Sequence, residues 1–70
     1  MSKLPSFKAR EILEILFSNG FEKVRISGSH IRLRKGSVYV TVPFHTKDLP
    51  TGTLRNIIRQ SQLPIDSFKK

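Results

Sequence analysis

The chain of 70 residues contains no cysteine, only five acidic residues and no long apolar run. Without cysteine it forms neither a disulfide nor a thiolate metal site, so one small hydrophobic core or a partner must stabilise the fold. The absence of cysteine is typical of a reducing compartment, and we expect a cytoplasmic protein. A chain of this length has room for one domain, which we assign to residues 1–70.

The missing apolar run excludes a membrane-spanning helix, which needs about 18 consecutive apolar residues. Glu11 and Glu14 interrupt the one apolar stretch near the N-terminus, which argues against a signal peptide. The acidic residues are Glu11, Glu14, Glu22, Asp48 and Asp66. They are too scattered to pair as metal ligands, so we expect neither a metal nor any other cofactor.

The chain has an excess of positive charge. Thirteen Lys and Arg residues against five acidic ones give a net charge of +8. The imbalance is greatest in residues 21–40, which hold five basic residues and one acidic residue. A domain this basic is expected to bind a polyanion, whether a nucleic acid, an anionic membrane or an acidic protein.

The first segment predicts an amphipathic helix. Ser6 is the candidate N-cap, and apolar residues then recur at helical spacing. We expect the helix to end where Gly20 takes the left-handed conformation and Phe21 folds back on Leu16 in a Schellman motif. The apolar positions of this helix are Ala9, Ile12, Leu13 and Leu16.

Beyond residue 21 the apolar period changes to two, which predicts three antiparallel strands joined by tight turns at Gly28-Ser29 and Lys35-Gly36-Ser37. A second helix follows, capped by Thr51, and the tail is expected to dock Ile65 and Phe68. The fold class is therefore α+β, in the order α-β-β-β-α, with two helices on one face of a three-stranded antiparallel sheet. The residues predicted to face inward are Val24, Ile26, Ile31, Leu33, Val40 and Val42 in the sheet and Leu54, Ile57, Ile58 and Ser61 in the second helix.

Alternation places a basic and polar set on the other, open face of the sheet. We expect no carboxylate among its cations, and like charges that face each other across strands are destabilising unless a negative partner binds. Cations for phosphates and a ring for base stacking suit RNA, and a merely solubilising polar face is the alternative. The set comprises Lys23, Arg25, Ser27, His30, Arg32, Arg34, Tyr39 and Thr41.

Two histidines offer proton transfer near neutral pH. His30 opens the second strand, on the same face as Arg32 and Arg34. RNA cleavage by the 2′-hydroxyl needs a base for that hydroxyl and donors for the charge on the phosphorane, which these three side chains supply. His45 follows the third strand, whose end lies near the start of the second, so the histidines are expected to approach as base and acid. The alternatives are a surface histidine without a role for His30 and a turn-fixing one for His45.

Over nearly its whole length the sequence resembles the HicA-type toxins, the RNA-cleaving halves of prokaryotic toxin–antitoxin pairs. The segments that carry the resemblance are Ser18-Asn19-Gly20-Phe21, Gly28-Ser29-His30 with Ile31-Arg32-Leu33, Val40-Thr41-Val42-Pro43-Phe44-His45, Gly52-Thr53-Leu54-Arg55-Asn56-Ile57-Ile58-Arg59-Gln60, and the closing residues 63–68. Their order and spacing together are more specific than any one of them.

This resemblance implies a fold like that of double-stranded-RNA-binding domains and metal-independent cleavage of mRNA on or near ribosomes. It also implies neutralisation by a HicB-type antitoxin that covers the active site. The family's essential histidine maps onto His30. Its Pro-x-His element maps onto Pro43-Phe44-His45, where Phe44 stands at a position that is often basic.

We therefore predict a ribonuclease toxin in which His30 is the general base or acid and His45 a second proton-transfer group. Two alternatives are a module of the same fold that binds RNA duplexes without cutting them, and an interaction protein whose basic face docks an acidic partner. The expected partners are mRNA and a HicB-type antitoxin, with no membrane and no metal. The residues predicted to bind RNA are Lys23, Arg25, Ser29, Arg32, Arg34, Lys35, Tyr39 and Arg55.

Overall fold

The computed structural model describes residues 5–69. Its elements are helix α1 (Ala9–Ser18), strands β1 (Glu22–Ser27), β2 (His30–Lys35) and β3 (Val38–Pro43), helix α2 (Thr51–Ser61) and a single 3-10 turn (Ile65–Ser67). The strands form one antiparallel sheet in the order β1-β2-β3. One side of the sheet shares a core with both helices, so the predicted α-β-β-β-α fold is confirmed. Within the described residues, no helix is long and apolar enough to cross a membrane.

The C-terminal end of α1 has the predicted Schellman geometry. The Phe21 N–H donates to the Leu16 carbonyl at 3.0 Å, and the Gly20 N–H donates to the Phe17 carbonyl at 3.1 Å. Gly20 has a φ of 93°, and both Phe21 and Leu16 are buried. These two bonds satisfy carbonyls that the helix end would otherwise leave unpaired, and they aim the chain into β1.

We expect Gly20→Ala to destabilise the protein by about 1–2 kcal/mol, because an L-residue is strained at positive φ. A β-carbon there would stand 3.3 Å from Cε of Lys35, a flexible side chain that can give way, so the backbone strain decides the effect. Gly52→Ala is the matched control, since Gly52 lies inside α2 with nothing within 4 Å of a new β-carbon. It should stabilise the fold by about 0.5 kcal/mol. Chemical denaturation measures both, and equal effects would contradict this explanation.

The start of α1 differs from the prediction. Its N-cap is Lys8 rather than Ser6, and the Lys8 N–H donates to Oε1 of Glu11 at 2.8 Å. The helix starts later because the preceding segment is extended: Lys8 forms a bridge with Asp48, and the Leu49 N–H donates to the Phe7 carbonyl at 2.8 Å. This pairing buries Phe7, which periodicity alone would have assigned to the helix.

Helix α2 and the tail also depart from the prediction in detail. Pro50 occupies the N-cap and Thr51 is the first helical residue, so Thr51 is not the cap. Pro50 has a φ of −58°, and its carbonyl accepts the Leu54 N–H at 2.9 Å. In the tail, Phe68 is buried as predicted, but Ile65 remains 56% exposed because the 3-10 turn directs only Phe68 into the core.

The two helices cover β2 and β3 but not β1. Ile26, Ile31 and Val42 lie side by side in one row across the three strands. Ile26 is 58% exposed, Ile31 is partly buried and Val42 is fully buried. Leu33 and Val40 in the neighbouring row are fully buried. The prediction that Val24 and Ile26 are buried under the helices is therefore wrong, because the helix layer ends before it reaches the first strand.

A β-bulge in β1 changes which residues share a face. Lys23 pairs with Leu33 and Arg25 with Arg32, so Val24 is an extra residue between them. The bulge therefore breaks the strict alternation assumed from the sequence. Residues before the bulge therefore lie on the opposite face of the sheet from the one that strict alternation assigns to them.

Candidate nucleic-acid interface

The open face of the sheet carries its polar side chains in three rows across the strands. Residues opposite each other in paired strands share a face. The rows, in order along β2, are Ser27–His30–Pro43, Arg25–Arg32–Thr41 and Glu22–Arg34–Tyr39. A shallow groove of about 250 Å³ lies in this surface, lined by Arg25, Ser27, His30, Arg32 and Thr41.

His30 is fixed at the start of β2 by both of its neighbouring strands. Gly28, with a φ of 58°, closes a two-residue turn that pairs Ser27 with His30. On the other side, the Ser29 carbonyl accepts the Phe44 N–H at 2.5 Å. The backbone of His30 is therefore held in the sheet while its imidazole remains exposed to the groove. This is a suitable setting for a group that must reach a large substrate.

Arg32 and Tyr39 form a stacked pair on the same face. The guanidinium carbon of Arg32 lies 4.6 Å from the centre of the Tyr39 ring, within the range of a cation–π interaction. Stacking pre-orders the guanidinium, whose N–H groups suit two phosphate oxygens at once. Tyr39 therefore orients the Arg32 guanidinium on the open face, a contact that the sequence prediction did not include.

Three arginines on this face lack a carboxylate partner. Within residues 5–69, no Asp or Glu oxygen comes within 4 Å of the guanidinium groups of Arg25, Arg32 or Arg34, and the ion pair formed elsewhere joins Lys8 to Asp48 at 3.4 Å. The face does contain one acidic residue, because the bulge puts Glu22 opposite Arg34. The expectation of a face without carboxylates was wrong there, since period two alone cannot locate a bulge.

Two residues predicted to bind RNA lie off the open face. Lys23 pairs with Leu33, and Lys35 pairs with Val38, both of which belong to the helix-facing side. The Lys35 side chain lies against Gly20 at the end of α1, where a cation also compensates the helix dipole. The assignment of Lys23 to the open face was wrong, because the bulge puts this residue on the helix-facing side. Lys35 lies beside the end of α1 instead of on the open face.

The remaining predicted contacts are spread more widely. Ser29 is in the exposed turn before His30, beside the groove. Arg55 is exposed on α2, which packs on the sheet side opposite to the groove. Conversely, the hydroxyl residues Ser27 and Thr41 line the groove although they were not selected as binding residues. The alternation had already placed both residues on the open face, with Ser27 two positions from Arg25 and Thr41 two positions from Tyr39, and this was the signal for them.

His45 occupies a different part of the surface from His30. It lines two clefts in the loop after β3, of about 580 Å³ and 260 Å³, whereas the groove around His30 does not include it. Lys8 fixes this loop by donating from Nζ to the Thr46 carbonyl at 3.3 Å and to Oδ1 of Asp48 at 3.4 Å. The groove at His30 and the two clefts at His45 have no lining residue in common, and the approach of the two histidines as base and acid stays a prediction.

The chemistry available at the groove is thus one imidazole, hydroxyl groups and guanidinium groups. Within the described part of the chain, no three His, Asp or Glu side chains come close enough together to hold a metal ion. A neutral imidazole accepts a proton, and guanidinium groups stabilise an oxyanion. This combination matches what transphosphorylation of RNA requires.

Comparison with known families places the chain in one of them. Residues 9–63 match the family model described as the HicA toxin of bacterial toxin–antitoxin systems. The matched region contains both helices, all three strands and every residue of the groove. A comparison with curated proteins gives no match. Because the family model spans most of the chain, this protein belongs to the HicA toxin family.

Proposed function

We propose that this toxin is an endoribonuclease that cuts mRNA at the open face of its sheet, without a metal, and that His30 carries the proton transfer. The observation that supports this most is the groove itself. It holds an exposed imidazole beside Arg25 and Arg32, neither of which has a carboxylate partner in residues 5–69. Unpaired cations around a histidine favour a phosphodiester over an uncharged substrate.

The proposed reaction is an in-line transphosphorylation. Neutral His30 takes the proton from the ribose 2′-hydroxyl as the 2′-oxygen attacks the adjacent phosphorus. The bond from phosphorus to the 5′-oxygen breaks, and that oxygen takes up a proton. The products are one RNA end with a 2′,3′-cyclic phosphate and another with a 5′-hydroxyl. Arg25 and Arg32 stabilise the negative charge that builds on the phosphorane oxygens.

Two groups can donate the proton to the leaving 5′-oxygen. His45 is the candidate side chain, in a neighbouring cleft that a bound RNA strand would have to span. Water is the alternative, because the groove at His30 is open to solvent. If His45 is the donor, His45→Ala slows cleavage by at least about tenfold, and a leaving group that needs no protonation restores the rate.

We expect Arg32→Ala to weaken RNA binding and to reduce its salt dependence. Each phosphate contact on a single strand contributes about 0.7 to the slope of log affinity against log salt, so this variant should lower the slope by about that amount. Arg59→Ala is the matched control, because Arg59 lies on α2 and its side chain already donates to Asn56. Fluorescence anisotropy at several salt concentrations measures both, and an equal loss in the two variants would argue against the open face as the RNA site.

The proposed partners follow from the same surface. We propose that a HicB-type antitoxin covers the groove and neutralises its arginines, and that toxin and antitoxin meet in the cytoplasm. A protein with net charge +8 repels itself, so an acidic partner also stabilises it. The family identifies the protein as the toxin of a toxin–antitoxin pair, and occupation of the groove is the proposed mode of inhibition.

A duplex-binding module is the second candidate function, favoured by the α-β-β-β-α order itself. Modules of that class bind duplexes largely through their shape and phosphates. Here Arg55 is the sole cation in the first five residues of α2, which weakens this candidate. Incubation with the same RNA as a single strand and as a duplex distinguishes the two candidate functions. The proposed nuclease shortens the RNA, whereas a duplex-binding module slows the migration of the duplex in a gel and leaves it intact.

A further inference from the structure

The helix-facing side of β1 is an uncovered apolar surface. Ile26 is 58% exposed and pairs with Ile31, which is partly buried and packs against the core. Val24, at the bulge, is 44% exposed. We call this surface the β1 overhang, comprising Lys23, Val24, Ile26 and Ile31. Its apolar surface is continuous with the hydrophobic core at Ile31, so the core extends to an exposed edge of the sheet.

No segment within residues 5–69 closes this edge. Helices α1 and α2 cover β2 and β3, and the described tail ends with Phe68 buried in the core already formed by those helices. An isolated exposed apolar residue is normal, but Ile26 and Val24 lie on an edge strand whose outer backbone groups are also unpaired by the sheet. A surface of this kind is typical of a site that another chain covers.

The charge around the overhang indicates which chain that is. Lys23 lies on the same side as Ile26, and Lys35 lies further along β2 on that side, whereas Arg25 is on the opposite face of the same strand. A second copy of this protein would bring these cations, and two net charges of +8, against each other. An acidic chain presenting an apolar side chain complements the surface instead. Membership of a toxin–antitoxin family supplies a partner for this protein.

We infer that the β1 overhang is an anchoring surface for the antitoxin, separate from the catalytic groove. An apolar side chain of the antitoxin packs on Ile26 and Ile31, and a carboxylate beside it pairs with Lys23. Because Arg25 and Ser27 of the same strand line the groove on the other face, an antitoxin held here is positioned to reach around the edge and cover His30. The inference rests on the toxin–antitoxin family and does not require the proposed cleavage mechanism.

The test is the affinity of purified toxin for the HicB-type antitoxin of its own pair, measured by calorimetry for the wild type and for Ile26→Glu. Ile26→Glu puts a carboxylate into the apolar contact and opposite the antitoxin's acidic group. We expect the dissociation constant to rise at least about tenfold. Ile65→Glu is the matched control, because Ile65 has nearly the same exposure, 56%, and lies in the 3-10 turn. It should bind as the wild type does.

Two results would overturn the inference. One is an unchanged antitoxin affinity in Ile26→Glu. The other is a wild-type toxin that sediments as a dimer, which Ile26→Glu dissociates without weakening the antitoxin complex, since a second copy would then be the occupant. The substitution is at an exposed site, and thermal unfolding verifies that the variant is folded. RNA cleavage without antitoxin is measured in parallel: its absence in the wild type counts against the proposed nuclease and leaves the affinity comparison unaffected.

Discussion

Replacing His30 with alanine should lower the rate of RNA cleavage by about 100- to 10,000-fold, the range that general acid–base catalysis contributes. The reason is that His30 is the one imidazole among the five residues that line the groove, and neither a guanidinium nor a hydroxyl there can take over proton transfer near neutral pH. His30 is exposed and makes no core contact, and the free energy of unfolding should therefore change by less than about 0.5 kcal/mol. Initial rates on a defined RNA measure the first effect and denaturation the second.

Two companion variants make this prediction specific. His30→Gln keeps hydrogen-bonding groups but cannot take up a proton near neutral pH, so it should be as inactive as His30→Ala while still binding RNA. His45→Ala removes the other histidine, in a different cleft, and should lose less activity than either His30 variant. If the His30→Gln variant still cut RNA, His30 could not be the proton-transfer group. The basic face would then be only a docking surface.

The largest expected effect on stability is that of Leu33→Ala. Leu33 is fully buried at the centre of β2, between Lys23 of β1 and Val40 of β3, and its side chain faces both helices. Truncating such a residue costs about 2–5 kcal/mol through lost transfer energy and the remaining cavity. A domain of this length has roughly 4–10 kcal/mol of stability in total, so the variant should be close to unfolding at 37 °C.

Ile26→Ala is the matched control for Leu33→Ala. Both are large apolar residues in paired strands of the same sheet, but Ile26 is 58% exposed on the uncovered strand. Its truncation should cost less than about 1 kcal/mol. Urea denaturation followed by circular dichroism compares the two. If both variants lost the same stability, β1 would have to be covered in solution, and the account of the open edge would be wrong.

The parts of the fold that the sequence predicted correctly are those determined by neighbouring residues. The Schellman end of α1 needs only Gly20 after a helical stripe and Phe21 to return to Leu16. The turns at Gly28 and Gly36, both with positive φ, likewise need only the residues at those positions. The position of His30 at the head of β2 follows from the first of these turns, so its place in the candidate site could also be predicted.

The errors arose where distant segments meet. The start of α1 is set by the pairing of Lys8 with Asp48, forty residues away, which no local pattern reveals. The exposure of Ile26 depends on how far the helix layer extends across the sheet. The bulge exchanges the faces of Glu22 and Lys23 because one additional residue in a strand shifts the alternation of all those before it.

In the proposed reaction the RNA's own 2′-hydroxyl attacks the phosphorus at the open face, without a metal. The most direct measurement is the chemistry of the ends formed when the wild-type protein acts on a defined RNA in excess EDTA, with and without ribosomes. We expect cleavage that leaves a 2′,3′-cyclic phosphate and a 5′-hydroxyl, and no cleavage at a position whose ribose lacks the 2′-hydroxyl. Ends with a 3′-hydroxyl and a 5′-phosphate, or cleavage only when Mg²⁺ is restored, would contradict it.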